Sequence, residues 1–454
     1  MSGMKHRAFP EGFLWGASTA AHQVEGNNTN QWSEWEKANA KYLAANAYSR
    51  LMIDAKKYLG WDVDWEAVKS RAERPENYIS GDAADHYRRY KDDFMILKQL
   101  NLNAFRFSIE WSRIEPEEGK WDEDEIEHYR RYLHELKQQG IEPIVTLWHW
   151  TVPVWFAERG GFERQENVRY FERFITKIAD ELGDDFSYVT LLNEPNVYVY
   201  ASYLIGQWPP EKRSALMAIK VYHNLQIAHK RGYAMLKQRH PAMKIGIAFA
   251  LGDMQPAQPR NMLSRLVATV AAYMQNWWYL NRISKELDFI GVNYYMTTYF
   301  TWRGVMQYSQ APKSDAGWHM EPKDLERVLL ATWKRYRKPI IITENGLADG
   351  GDVHRQWWLE QTIEAMQAAL AKGVDLRGYL HWSLLDNFEW SFGWWPKFGL
   401  VAVDRKTMKR VVRPSAKWFA DFIKQTAAKS TNTNGTELRA PAPKQQQLSR
   451  RHGK

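Results

Sequence analysis

The sequence predicts a closed (β/α)8 barrel from three observations: short β-branched or aromatic runs recur along it, amphipathic stretches separate them, and no Gly-rich phosphate loop follows an early strand. The missing phosphate loop sets aside the runner-up, a doubly wound open sheet. A chain of 454 residues exceeds an ordinary domain, but a barrel with loop insertions reaches this length as one unit.

The strands are read at 13–16, 104–109, 143–148, 188–193, 244–250, 289–293, 339–343 and 378–382. Helices are read at 83–100, 124–139, 168–182, 212–238, 322–336 and 354–372, each with apolar residues three or four apart, such as Phe94, Leu97 and Leu100. Gly140 and Gly373 stand where C-terminal caps belong. Two segments break the rhythm. Residues 40–78 form a charged insertion after the first strand, expected on the surface, with Trp61 or Trp65 near the barrel mouth. Residues 427–454, rich in Ala, Lys, Ser, Thr, Asn, Pro and Gln, have little apolar surface to bury and are expected to be a disordered tail behind a catalytic domain at 1–426.

Composition narrows the function. The net charge is +9, but six Lys/Arg and one Glu from Ala427 onward supply +5, so the preceding body reads as balanced and a nucleic-acid partner is not expected. There is no Cys, no secretory h-region in MSGMKHRAFPEGF and no long uncharged apolar run. A cytoplasmic protein with no membrane partner is the expectation. The 23 Trp and 23 Tyr exceed what a core needs and suit the apolar faces of sugar rings.

In a barrel, chemistry projects from the C-terminal strand ends. The fourth strand ends LLNEP, presenting Asn193 and Glu194, and the seventh ends IIITENG, presenting Glu344. The third ends at Trp148, His149 and Trp150, the sixth at Asn293 and Tyr295, and the eighth at Trp382, followed by Glu389 and Trp390. Singly, each has an ordinary structural reading. Together, two carboxyl groups among amides, hydroxyls and indoles suit cleavage of a glycosidic bond, where one carboxyl donates a proton and the other attacks or activates water. With no Cys and no His cluster, neither metal nor cofactor is expected, and no GxSxG elbow is present.

These motifs, with FPEGFLWGASTAAHQVEG, FRFSIEW, GVNYY, WSLLDNFEW and KFGLVAVDRKTMKRVVRPSAKWF, resemble glycoside hydrolase family 1, the β-glucosidase and β-galactosidase family. The resemblance implies a retaining β-glycosidase with a small carbohydrate substrate, Glu194 as acid/base and Glu344 as nucleophile. It further implies that Tyr295 and Arg106 orient the nucleophile and that Asn293 lines the pocket. Gln23, His149, Trp150, Asn193, Glu389 and Trp390 would grip the terminal sugar, and Trp382 would stack beneath it. Glu389 implies an unphosphorylated sugar, a glucoside or also a galactoside or fucoside, and Glu194 implies O-glycosides. Transfer to an alcohol or another sugar, or a silent sugar-binding relative, are the alternatives. The chain departs from the family pattern at Thr151, in LLNEP and in GWWPKFG, where Trp394, Trp395, Pro396 and Lys397 stand.

Overall fold

The computed structural model describes residues 9–305 and 310–434. Eight parallel strands close into a barrel: β1 (Leu14–Ser18), β2 (Ala104–Ser108), β3 (Glu142–Thr146), β4 (Tyr188–Asn193), β5 (Lys244–Ala250), β6 (Phe289–Asn293), β7 (Ile340–Asn345) and β8 (Leu376–Trp382). Each pairs with its sequence neighbours, and β1 closes the ring on β8 with Leu14 opposite Gly378. All eight coincide with runs read from the sequence, with shifts of one or two residues at some ends.

Alternation along each strand decides which side chains fill the barrel. On β2, Phe105 and Phe107 face outward, where Phe105 meets Phe94 of the helix His86–Gln99. Ala104 joins Ile144, Phe289, Ile341 and Leu380 in a separate interior cluster. Gly246 is required there, because a Cβ would stand 2.6 Å from the Phe289 ring. The same alternation sends Arg106 inward, one layer nearer the mouth.

The helices form for the reasons the spacing suggested. Val168–Leu182 buries Phe171, Phe174, Ile175, Ile178 and Leu182 at three- and four-residue intervals. Asp122 caps Glu123–Gln138 by accepting from the Asp124 and Glu125 amides, and Gly140 and Gly373 take positive φ as their cap role requires. The helix read at 322–336 opens with a 3-10 turn, Pro322–Asp324, before Leu325–Tyr336.

Two boundaries differ from expectation. The insertion is not a separate surface patch beginning at residue 40. Asn30 and Ser33 form a reciprocal capping box that starts a helix at Gln31–Ala45, so Ala40 lies inside it. Beyond it, Leu51, Val63, Val68 and Ala72 pack into one cluster with Trp382, Trp395 and Phe398 of the barrel rim. At the other end, the last helix runs Pro414–Asn434, past the tail boundary set at Ala427; the Ala427-Ala428-Lys429 run has good helix propensity, which composition-based reading passed over. Residues 435–454 lie outside the described residues. This helix was not anticipated; it carries Phe419 and Phe422 to within 5.8 Å of the Trp15 ring.

Candidate active site

The strand irregularities aim the site. β4 and β5 lose register between Thr190 and Asn193, and β7 slips against both neighbours between Ile342 and Glu344 or Asn345. A bulge turns consecutive side chains toward one side, so Asn193 with Glu194, and Thr343 with Glu344, all serve the mouth. Glu194 sits at φ 41°, and Trp150 and Trp390 at φ 75° and 46°. Positive φ at a bulky residue is strained, and here it falls on three residues of one site. Gly346 is required by close packing: a Cβ would lie 1.8 Å from the Trp382 carbonyl oxygen.

Arg106 is the hub. Fully buried, it donates from Nη1 to Glu344 Oε1 at 2.5 Å, from Nη2 to Asn193 Oδ1 at 2.7 Å and from Nε to Thr146 Oγ1 at 2.9 Å. Tyr295 donates its hydroxyl to the other oxygen of Glu344 at 2.7 Å. Asn293 donates to Glu194 Oε1 at 2.9 Å and accepts from Thr343 Oγ1 at 2.6 Å. Because Asn193 Oδ1 accepts from both Arg106 and Asn293, its amide nitrogen must face His149 Nε2, 3.0 Å away. Nε2 therefore accepts, and the His149 proton sits on Nδ1, which has no partner among the described residues. Burial and the Arg106 charge keep this imidazole neutral, well below its ordinary 6.5.

The two glutamates share burial but differ in company. Burial and the charge on Glu344 hold the Glu194 carboxyl well above 4.5, with only Asn293 and Arg106 opposing. Burial leaves Glu344 above 4.5 as well, but the Arg106 charge and hydrogen bonds from Arg106, Tyr295 and Asn293 limit the rise. Glu344 is thus the stabilised carboxylate and Glu194 the stabilised acid.

A third carboxyl, Glu389, accepts from Gln23 Nε2 at 3.4 Å; that nitrogen also reaches the Phe388 carbonyl at 2.8 Å and Asn387 Oδ1 at 3.1 Å. Burial, followed by the Glu344 charge, pushes Glu389 up to about 8, which favours its protonated form at neutral pH. The implied preference for an unphosphorylated sugar does not need an ionised Glu389. The site is buried, and the charged neighbour acting on Glu389 is another carboxylate.

Around these groups, His149 stacks between Trp382 and Trp390 with ring centroids 5.9 and 6.0 Å apart. Trp150 anchors by donating Nε1 to the Asn193 carbonyl at 2.9 Å. All twelve residues singled out from the sequence thus join one network at one rim. Sequence reasoning missed Thr146, Thr343 and Asn387, which hold Arg106, Asn293 and Gln23; inward alternation with Ile144 and Ile341 was the signal for the two threonines. It also missed His22, whose ring stacks on Trp390 at 5.6 Å and is held by Glu36 at 2.6 Å.

The family model of glycosyl hydrolase family 1 matches residues 5–285 and 279–428. The chain belongs to glycosyl hydrolase family 1. It is 31% identical to β-glucosidase A of Thermotoga maritima, over 93% of this chain and 99% of that one. It superposes on the β-glycosidase of Pyrococcus horikoshii with a TM-score of 0.81 at 35% identity, covering 92% and 95% of the two chains. A Thermotoga maritima β-glucosidase in complex with glucoimidazole gives a TM-score of 0.79 at 28% identity, covering 92% and 99%.

At Thr151 and Trp394, two of the places where this member departs from the family pattern, the changed side chains make specific local bonds. Thr151 donates its hydroxyl to Glu110 Oε2 at 2.9 Å, which an ionised aspartate would not do. Trp394 donates its indole to the Ile79 carbonyl at 2.9 Å and its amide to Asn77 Oδ1 at 3.0 Å, so the altered loop is tied to the end of the insertion.

Proposed function

We propose that this chain is a retaining β-glycosidase that removes terminal β-glucosyl or β-galactosyl residues from O-glycosides. The observation that carries the reading is the unequal company of two carboxyl groups: Arg106 and Tyr295 favour the ionised form of Glu344, while burial and the Glu344 charge hold Glu194 well above 4.5. Glu344 attacks the anomeric carbon as Glu194 protonates the departing oxygen, leaving a glycosyl ester on Glu344. Esterification removes the charge that raised Glu194, so its acidity increases as it must turn base. Glu194 then takes a proton from water as that water opens the ester from the opposite face, and configuration is retained. Gln23, His149 through its unpaired Nδ1–H, Asn193 and Glu389 are assigned to the sugar hydroxyls, Trp382 to stacking, and Trp150 and Trp390 to the walls.

The test is Glu344→Ala with a p-nitrophenyl β-glucoside. Hydrolysis should fall at least about 10⁴-fold, and azide should restore nitrophenol release with an α-glycosyl azide as product. Wild-type turnover in the variant, or a β-glycosyl azide, defeats the assignment.

A further inference from the structure

The helix Met262–Ala272 is turned inside out. It buries Ser264 and Ala268 and presents Met262, Leu263, Leu266 and Val270 to solvent, at 80%, 57%, 59% and 53% exposure. Tyr273 and Met274 continue the exposed row. Nearby, Tyr222 stacks on Trp278 at 5.0 Å, and one and two turns before Tyr222 on its own helix, Ile219 and Leu216 are also exposed. An exposed apolar helix face of this kind calls for a cover.

Charge indicates which cover. Between Glu211 and Glu286 the chain holds twelve Lys/Arg and one acid, Asp253, a net +11 that exceeds the +9 of the whole. The body is therefore not balanced, as its total suggested, but divided. Lys220, Arg260, Arg265, Arg282 and Lys285 have no ion-pair partner among the described residues. A groove of about 430 Å³ opens between this helix and the three-stranded sheet beside it, lined by Met254, Pro256, Tyr273 and Trp277 with Arg265 and Arg335.

We propose that this face docks on an anionic lipid surface, with the apolar row entering the interface and the arginines meeting headgroup phosphates. An apolar helix face with unpaired cations beside it, Arg265 on the helix and Arg260 just before its cap, is the pattern of an interfacial helix. A two-fold dimer through the same face would set its cations against themselves. Nucleic acid would use the cations and leave Leu263, Leu266 and Val270 uncovered. Such docking departs from the expectation of no membrane partner, which rests on the lack of a spanning run; among the described residues no helix is long and apolar enough to span.

The test is co-sedimentation of the full chain with phosphatidylcholine vesicles, with and without about 30% phosphatidylglycerol. Binding should be at least about tenfold stronger with the anionic lipid, should weaken with salt, and should fall about tenfold in Leu266→Glu/Val270→Glu. Both positions are exposed, so that variant should keep its melting temperature and its turnover of a small aryl glucoside. No vesicle binding overturns the proposal. So does binding that survives the double variant, which would assign it to the basic C-terminal segment. A wild-type dimer that the variant dissociates, or salt-sensitive binding to duplex DNA in place of vesicles, also overturns it.

Discussion

Arg106 makes three hydrogen bonds to three different strands, and a lysine there keeps the charge but not the fork. Arg106→Lys should lower kcat about 10²-fold and move the acid limb of the pH profile upward, because Glu344 loses a bond to its ionised form. Tyr295→Phe should move that limb the same way with a smaller loss, since Arg106 remains. Acid-limb midpoints from kcat/KM against pH decide both, and a downward move in either contradicts the assigned roles. The basic limb belongs to Glu194, so Glu194→Gln should abolish it for a substrate whose leaving group needs no proton. At Glu389 the folded carboxyl, at about 8, lies above its ordinary 4.5. The folded state keeps a proton that the unfolded chain releases, so stability is full below 4.5 and declines as pH rises toward 8. Glu389→Gln should therefore raise the melting temperature by a few degrees at pH 9 and leave it nearly unchanged at pH 5. A gain confined to pH 5 would reverse the sign. The residue types at these positions were legible in the sequence, but their ionisation was not. It depends on burial and on neighbours contributed from opposite sides of the barrel.

At the scale of elements, the strands were legible because runs such as 244–250 are continuous, β-rich and bounded by turns, and the boundaries of β4, β5 and β6 coincide with the reading. The register slips in β4 and β7 were hidden, since a bulge depends on the partner strand. The helix Met262–Ala272 escaped because its apolar residues face outward, and periodicity alone does not say which side is the core. The insertion read as surface because it is charged, yet Arg50 donates to the Ser391 carbonyl at 2.8 Å and Asn77 to Phe392 at 2.9 Å. It braces the loop that carries Glu389 and Trp390. Trp61 lies 5.1 Å from both the Trp318 and Phe392 rings. Trp61→Ala should then raise KM for a bulky aglycone more than for a methyl glycoside; equal changes would make Trp61 a packing residue only. Ending the chain after Asn434 should leave activity within about twofold, whereas ending it before Pro414 removes Phe419 and Phe422 from Trp15 and should cost several kcal/mol of stability. Urea midpoints of the two truncations separate the outcomes.

For the whole molecule, totals were the weakest guide. A modest net charge concealed a strongly cationic strip, about a sixth of the chain, and a slightly acidic remainder, because summation discards position. High Trp and Tyr content pointed rightly to the mouth, where Trp150, Trp382 and Trp390 gather with His149, but many rings serve the core instead, among them Trp32, Trp111 and Trp358. The ring of strands itself has a consequence for the order in which a newly made chain acquires its structure. β1 pairs with β2 through Gly16 and Ala104, so one of its edges is satisfied early. Its other edge waits for β8, whose Gly378 leaves the ribosome 364 residues after Leu14. Throughout synthesis, the growing sheet is an open sector with an unsatisfied edge at β1 and another at its latest strand, each a template for pairing with a second nascent chain. Holding those edges apart until the last strand arrives falls to the helices that have already docked, or to chaperones. A chain released after Ala371 should therefore self-associate, while one that has gained the last strand and its closing helix should not.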